Sequence, residues 1–156
     1  MSEVLLTGIE VKKGVLNECL KLQSELVAVA KNFMEQAHES ANEQEVGGED
    51  KMESFREQCH ADRDMYAIKY RDAVNNLMTL KKINPEIESN EVRPGAIVIT
   101  AQQNLFVSIS LGQVNFDGES FVAISTQSPL YQIIQNKKAG DKFSFRGRDI
   151  VITDII

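Results

Sequence analysis

The sequence contains no tryptophan, two cysteines, two histidines and three prolines in 156 residues. Each shortage excludes something. Cys19 and Cys59 cannot build a disulfide framework, and no C-x-x-C pair is present. A zinc site would therefore have to recruit His38 or His60 together with carboxylates, and neither histidine stands at ligand spacing. The histidines read as surface or seam residues, the cysteines as small hydrophobes in apolar seams. No run approaches the roughly 18–20 uncharged apolar residues that cross a bilayer, and no basic start leads an apolar stretch as in a signal peptide. A cytoplasmic chain with no membrane contact is the expectation.

What is present supports a packed core. The nine apolar types make up 42% and charged residues 26%, which excludes wholesale disorder. The net charge of −6 is unevenly spread. Between Glu39 and Glu53 lie six acids (Glu39, Glu43, Glu45, Glu49, Asp50 and Glu53) against the single base Lys51. So sharp a concentration is a local feature rather than general solubility. It also argues against this segment lying on naked DNA, whose phosphates would repel it.

The chain changes grammar part-way. All three prolines (Pro85, Pro94 and Pro129) and six of the ten aromatics lie in the second half. Ile83-Asn84-Pro85-Glu86 and Val92-Arg93-Pro94-Gly95 read as linker and turn. The division is 1–84, 85–94 and 95–156. In the first part Val15, Cys19, Leu22, Leu26, Val29 and Phe33 recur in steps of four and three, a heptad seam. After Gly47-Gly48 a poorer series follows: Met52, Phe55, Cys59, Tyr66, Ala73, Leu77 and Leu80, with Asp62 and Lys69 or Tyr70 at seam positions. The pattern predicts an antiparallel two-helix hairpin, reversed at the glycines, with arms of about 32 residues reaching roughly 48 Å. A self-satisfied seam makes a monomer the expectation. The bases of the second helix (Lys51, Arg56, Arg63, Lys69 and Arg71) alternate with acids and predict i, i+4 pairing on a solvated face.

The second part reads as short strands: Ala96–Thr100, Leu105–Ser110, Phe121–Ser125, Lys142–Phe145 and Asp149–Ile155. Asp117-Gly118 and Arg146-Gly147-Arg148 supply hairpin turns. One helix interrupts, with Ser128 as N-cap, Pro129 at its first position, Leu130, Ile133 and Ile134 on one face, and Gly140 as its stop. The fold class is α+β: a helical hairpin, then a curled antiparallel sheet of five or six strands wrapped on one helix.

These parts, in this order, resemble the GreA/GreB transcription elongation factors. The residues that carry the likeness are Gly95-Ala96-Ile97-Val98 (G-A-x-V), Ser128-Pro129-Leu130 (S-P-L) and Lys137-Lys138-Ala139-Gly140-Asp141 (K-x-x-G-D). The resemblance implies an FK506-binding-protein-like C-terminal domain that docks on RNA polymerase. Ser128, Pro129, Leu130, Lys137, Gly140 and Asp141 would be partner-binding residues. It also implies a coiled coil entering the secondary channel, with tip acids near 43–53 that help the polymerase hydrolyse a backtracked RNA 3′ end. The factor would not itself be an enzyme and would hold no cofactor; the Mg²⁺ belongs to the polymerase. Asp50 and Glu53 keep the D-x-x-E spacing of the family's tip. Glu49 stands where the family has Gly, Ser54 where it has Asn, and no Glu-Tyr follows. Asp50 and Glu53 also form the pattern of a capping box for the second helix. Four readings stay open: stimulated cleavage, channel occupancy without cleavage, a coiled-coil scaffold, and a prolyl isomerase sharing the C-terminal fold.

Overall fold

A computed structural model describes residues 7–46 and 53–156, the side chains at 44–46 and 53 excepted. The elements are α1 (Gly8–Val46), α2 (Glu53–Lys81), β1 (Ile97–Thr100), β2 (Asn104–Ser108), β3 (Gly112–Phe116), β4 (Glu119–Ser125), α3 (Pro129–Ile134), β5 (Lys142–Phe145) and β6 (Arg148–Ile155). The α+β class is as the sequence predicts. Two compact units form: one from α1 as far as Lys21 together with Thr79–Ile156, the other from Leu22–Met78.

In the helical unit, α1 and α2 run antiparallel. Gln23 is buried and its Nε2 donates to the Ala73 carbonyl at 2.9 Å. Ten residues further along, Phe33 stacks on Tyr66 with ring centroids 5.6 Å apart. Val15 and Cys19 are buried as the seam of α1 predicts, but beyond Leu22 that seam is one residue out of phase with the sequence expectation. The sheltered positions are Gln23, Val27, Ala30, Met34, Ala37 and Ala41. Leu26, Val29 and Phe33 are 49%, 52% and 47% exposed on its flank. Both series have heptad spacing, and size decides between them. The facing stripe of α2 holds Cys59, Arg63, Tyr66, Tyr70, Ala73 and Leu77, and its bulky members leave room for alanines but not for leucine and phenylalanine. Polar side chains along α2 meet near neighbours in sequence. Arg63 Nε meets its neighbour Asp64 at 3.3 Å, Gln58 donates to Asp62 at 2.9 Å, and Lys69 lies over the Tyr66 ring.

In the sheet unit the strand order is β3-β4-β2-β1-β6-β5. The sheet is mixed rather than purely antiparallel, since β2 and β4 pair in parallel. The strand β3, which the sequence pattern does not predict, takes the edge, and β4 turns back between it and β2. That route delivers β4 in β2's own direction. Both predicted hairpins form: Asp117 and Gly118 have φ of 52° and 77°, Arg146 and Gly147 52° and 77°. Paired positive φ values give the primed turn whose twist suits strands.

Both faces of this sheet are apolar. Val98, Leu105, Val107, Ile124, Ile150 and Ile152 pack with Leu130, Tyr131 and Ile134 of α3. Ile133, expected on that inner face, is exposed, and Tyr131 takes its place. The opposite face carries Ile97, Phe106, Phe121 and Val114, all at 0–1% exposure. The foot of α1 covers it: a Cβ on Gly14 would overlap the Phe116 ring, and one on Gly8 would meet Ile156 at 2.8 Å. The start of α1 is fixed by a capping box in which Thr7 Oγ1 accepts from Glu10 N (3.2 Å) and Glu10 Oε2 from Thr7 N (3.3 Å).

Helix propensity alone says Gly14→Ala should stabilise α1 by about 1 kcal/mol. The Phe116 ring reverses that sign. We expect Gly14→Ala to lower stability in urea unfolding, and to become neutral or stabilising in a Phe116→Ala background. Additivity of the two changes would refute the contact.

Cys19 and Cys59 are both free and buried. Burial, with the Glu18 charge beside it, pushes the Cys19 thiol up from 9.0 to about 12. At pH 8 its native thiolate fraction is then about 10⁻⁴. Peptide-resolved alkylation should find Cys19 inert in the native protein through pH 10, and reactive in denaturant with a rate that climbs through pH 9. Rapid native labelling at pH 8 would contradict the packing of the α1 foot.

Candidate functional site

The residues singled out by sequence fall in two places, one in each unit. In the helical unit, α1 runs 39 residues to Val46 and α2 begins at Glu53. The Gly47-Gly48 reversal, Asp50 and Met52 lie outside the described residues, as does the Glu53 side chain. The capping box expected of Asp50 and Glu53 is therefore outside them too. What is described next to that segment is acidic: Glu35, Glu39 and Glu43 are exposed at four-residue spacing on α1. Among the described residues no group of three His, Cys, Asp or Glu could hold a metal ion. Nor is any described helix long and apolar enough to cross a membrane.

In the sheet unit the S-P-L residues start α3 as expected. Ser128 is extended at φ −70° and ψ 150°, and its Oγ accepts from Tyr131 N at 3.2 Å. Pro129 occupies the first turn, where its missing N–H costs nothing. Leu130 is buried in the core beneath. Pro129 thus offers surface, Ser128 offers part of one, and Leu130 acts through packing.

The helix does not run to Gly140; it ends at Ile134. Tertiary pairing wins over propagation here. Asn136 turns left-handed at φ 67°, and its N–H donates to the Val92 carbonyl at 2.9 Å. Val92 N in turn donates to the Lys137 carbonyl at 2.8 Å, which ties the segment before β1 to the segment after α3. Gly140 serves a later turn. At φ +91° it donates its N–H to the Ile152 carbonyl (2.7 Å), while Asp141 Oδ2 accepts from Lys138 N, also at 2.7 Å. The K-x-x-G-D sequence is therefore a hydrogen-bonded turn that latches onto β6 and leaves Gly140 and Asp141 exposed.

No family model matches this chain, and no curated protein matches it. Solved structures similar to it include the following two. The transcription factor Gfh1 superposes at a TM-score of 0.34 with 11% identity, over 87% of this chain and 92% of its own. The GreA factor homolog 1 (Gfh1) of Thermus thermophilus gives 0.33 with 12% identity, over 90% and 92%. Likeness at this level assigns neither family nor activity.

Residues that sequence reasoning passed over belong to the foot of α1. Lys12 is 2% exposed, and its Nζ donates to the Ile87 carbonyl at 2.7 Å and the Ser89 hydroxyl at 3.4 Å. The signal lay in Gly8 and Gly14, poor helix formers inside a helical pattern, which mark a close approach.

The two roles of Ser128 separate experimentally. Ser128→Ala should cost about 1 kcal/mol through the lost cap, and Ser128→Asp should restore most of it. If Ala and Asp are equally stable in thermal unfolding, the hydroxyl is not needed to start α3.

Proposed function

We propose that this chain is an RNA-polymerase-binding transcription factor of the GreA/GreB type, docking through its sheet unit and presenting its helical hairpin to the secondary channel. One observation carries the reading: a long two-helix hairpin, whose reversal and flanking helix ends (39–53) carry six acids against one base, precedes a small curled sheet bearing S-P-L and K-x-x-G-D around its single helix. A scaffold would leave that concentration without a purpose. A prolyl isomerase would want an aromatic-lined cavity, and the cleft of the sheet unit has no aromatic side chain in its lining.

In this reading the polymerase is the enzyme, and this chain brings no cofactor. Phosphodiester hydrolysis at the polymerase Mg²⁺ calls for hard oxygen ligands and a positioned water. Asp50 and Glu53 are the residues whose carboxylates would lend those oxygens near the nascent RNA 3′ end. The substitutions at Glu49 and Ser54 favour a second mechanism within the same class, in which the hairpin occupies the channel and regulates initiation or elongation without cleavage.

The test has two parts. Immobilised RNA polymerase should retain the full chain; failure to bind would overturn the proposal. On backtracked complexes we expect RNA shortening weak or no greater than with polymerase alone. If cleavage is stimulated, Asp50→Asn and Glu53→Gln should abolish it without loss of binding or helicity, since Asn and Gln keep the capping pattern. Stimulated cleavage that both substitutions leave intact would remove these two residues from the chemistry.

A further inference from the structure

The sheet unit contains a cleft of about 610 Å³ between the foot of α1, the segment leading into β1, and the end of β2. Three of its lining residues are cations, Lys12, Lys82 and Arg93, and none is a carboxylate. In a chain of net charge −6 that is a local inversion of sign. Burying an ammonium without a counter-charge is costly, and the Lys12 hydrogen bonds go to uncharged oxygens. An ammonium has three donors, and these two bonds leave one over.

The surroundings do not neutralise the site. Burial and the neighbouring Arg93 lower the Lys12 pKa, and the charge of Glu88 offsets them only in part. Glu86 is engaged elsewhere, with Lys13 at 3.0 Å. Arg93 donates through Nε to Ser89 (3.3 Å) and through Nη2 to the Glu88 carbonyl (3.2 Å), which fixes its guanidinium beside the same serine that Lys12 reaches. Ser108, which also lines the cleft, has a buried hydroxyl without a hydrogen-bond partner. The apolar part of the wall comes from Ile83, Ile87, Pro94 and Val107, and Thr79, Asn84 and Thr126 complete the lining with Gly95.

We infer that this cleft binds a phosphate monoester of a small organic molecule, the phosphoryl group lying among Lys12, Lys82 and Arg93 and the organic body against the apolar wall. A doubly charged phosphoryl group suits three cations and several hydroxyls. The volume falls in the range of sites for small ligands and accommodates a mononucleotide-sized molecule. This inference is independent of polymerase binding.

Calorimetric titration of the full chain with AMP, adenosine and inorganic phosphate tests it, with AMP as the probe monoester. AMP should bind at least about tenfold more tightly than inorganic phosphate, adenosine should not bind, and affinity should fall as salt rises. Lys82→Gln and Arg93→Gln alter exposed side chains and should each weaken AMP by about tenfold with circular dichroism unchanged. Lys12→Met should abolish binding; if that variant does not fold, the two exposed substitutions decide. No heat with either AMP or phosphate at about 10 mM would overturn the inference. So would AMP affinity indifferent to both exposed substitutions, or adenosine binding as well as AMP.

Discussion

A sheet that is apolar on both faces needs two covers, and most of this fold follows from how the second one is supplied. On one face α3 provides Leu130, Tyr131 and Ile134. On the other, Ile97, Phe106 and Phe121 are fully buried although no later helix is available to cover them. The first turns of α1 do so instead. That demand explains an otherwise unfavourable helix, with Gly8 and Gly14 where propensity prefers alanine and Lys12 where burial prefers leucine. Glycine at 14 admits the Phe116 ring. Lysine at 12 reaches the Ile87 carbonyl and so ties the long stretch between α2 and β1 to the helix.

The helical unit obeys a different rule, since one seam is all it has to bury. Ala30, Ala37 and Ala41 face inward while Leu26, Val29 and Phe33 stay half-exposed beside them. Transfer free energy alone favours the opposite arrangement, at roughly 25 cal/mol per Å² of apolar area. The bulk of Arg63, Tyr66 and Tyr70 on the facing stripe opposes it. The larger residues are not wholly lost to burial, because Phe33 lies across Tyr66 at the groove edge.

Features governed by local chemistry were legible in the sequence. Asp117-Gly118, Arg146-Gly147, the Ser128 cap and the existence of both long helices depend on a few adjacent residues, and each stands where the sequence puts it. Features governed by a partner elsewhere in the chain were not. The seam phase of α1 depends on bulk in α2, the end of α3 depends on Val92, and the parallel pairing of β4 depends on which edge β3 takes. The S-P-L and K-x-x-G-D stretches were legible as motifs, but their visible work is structural: a helix cap and a turn latched to β6.

Motif residues that hold the fold can be retained for that reason alone, so Ser128, Gly140 and Asp141 make poor sole witnesses for docking. Lys12 stands differently. Its two neutral acceptors fix the linker, a task that an uncharged donor of similar length could perform without desolvating an ammonium. Arg93 makes the contrast sharper, since it raises the positive potential at a group that burial already penalises. Linker pinning accounts for a donor at position 12 and leaves the charge unexplained. An anion in the cleft accounts for both, because it turns the repulsion between Lys12 and Arg93 into shared attraction for one ligand.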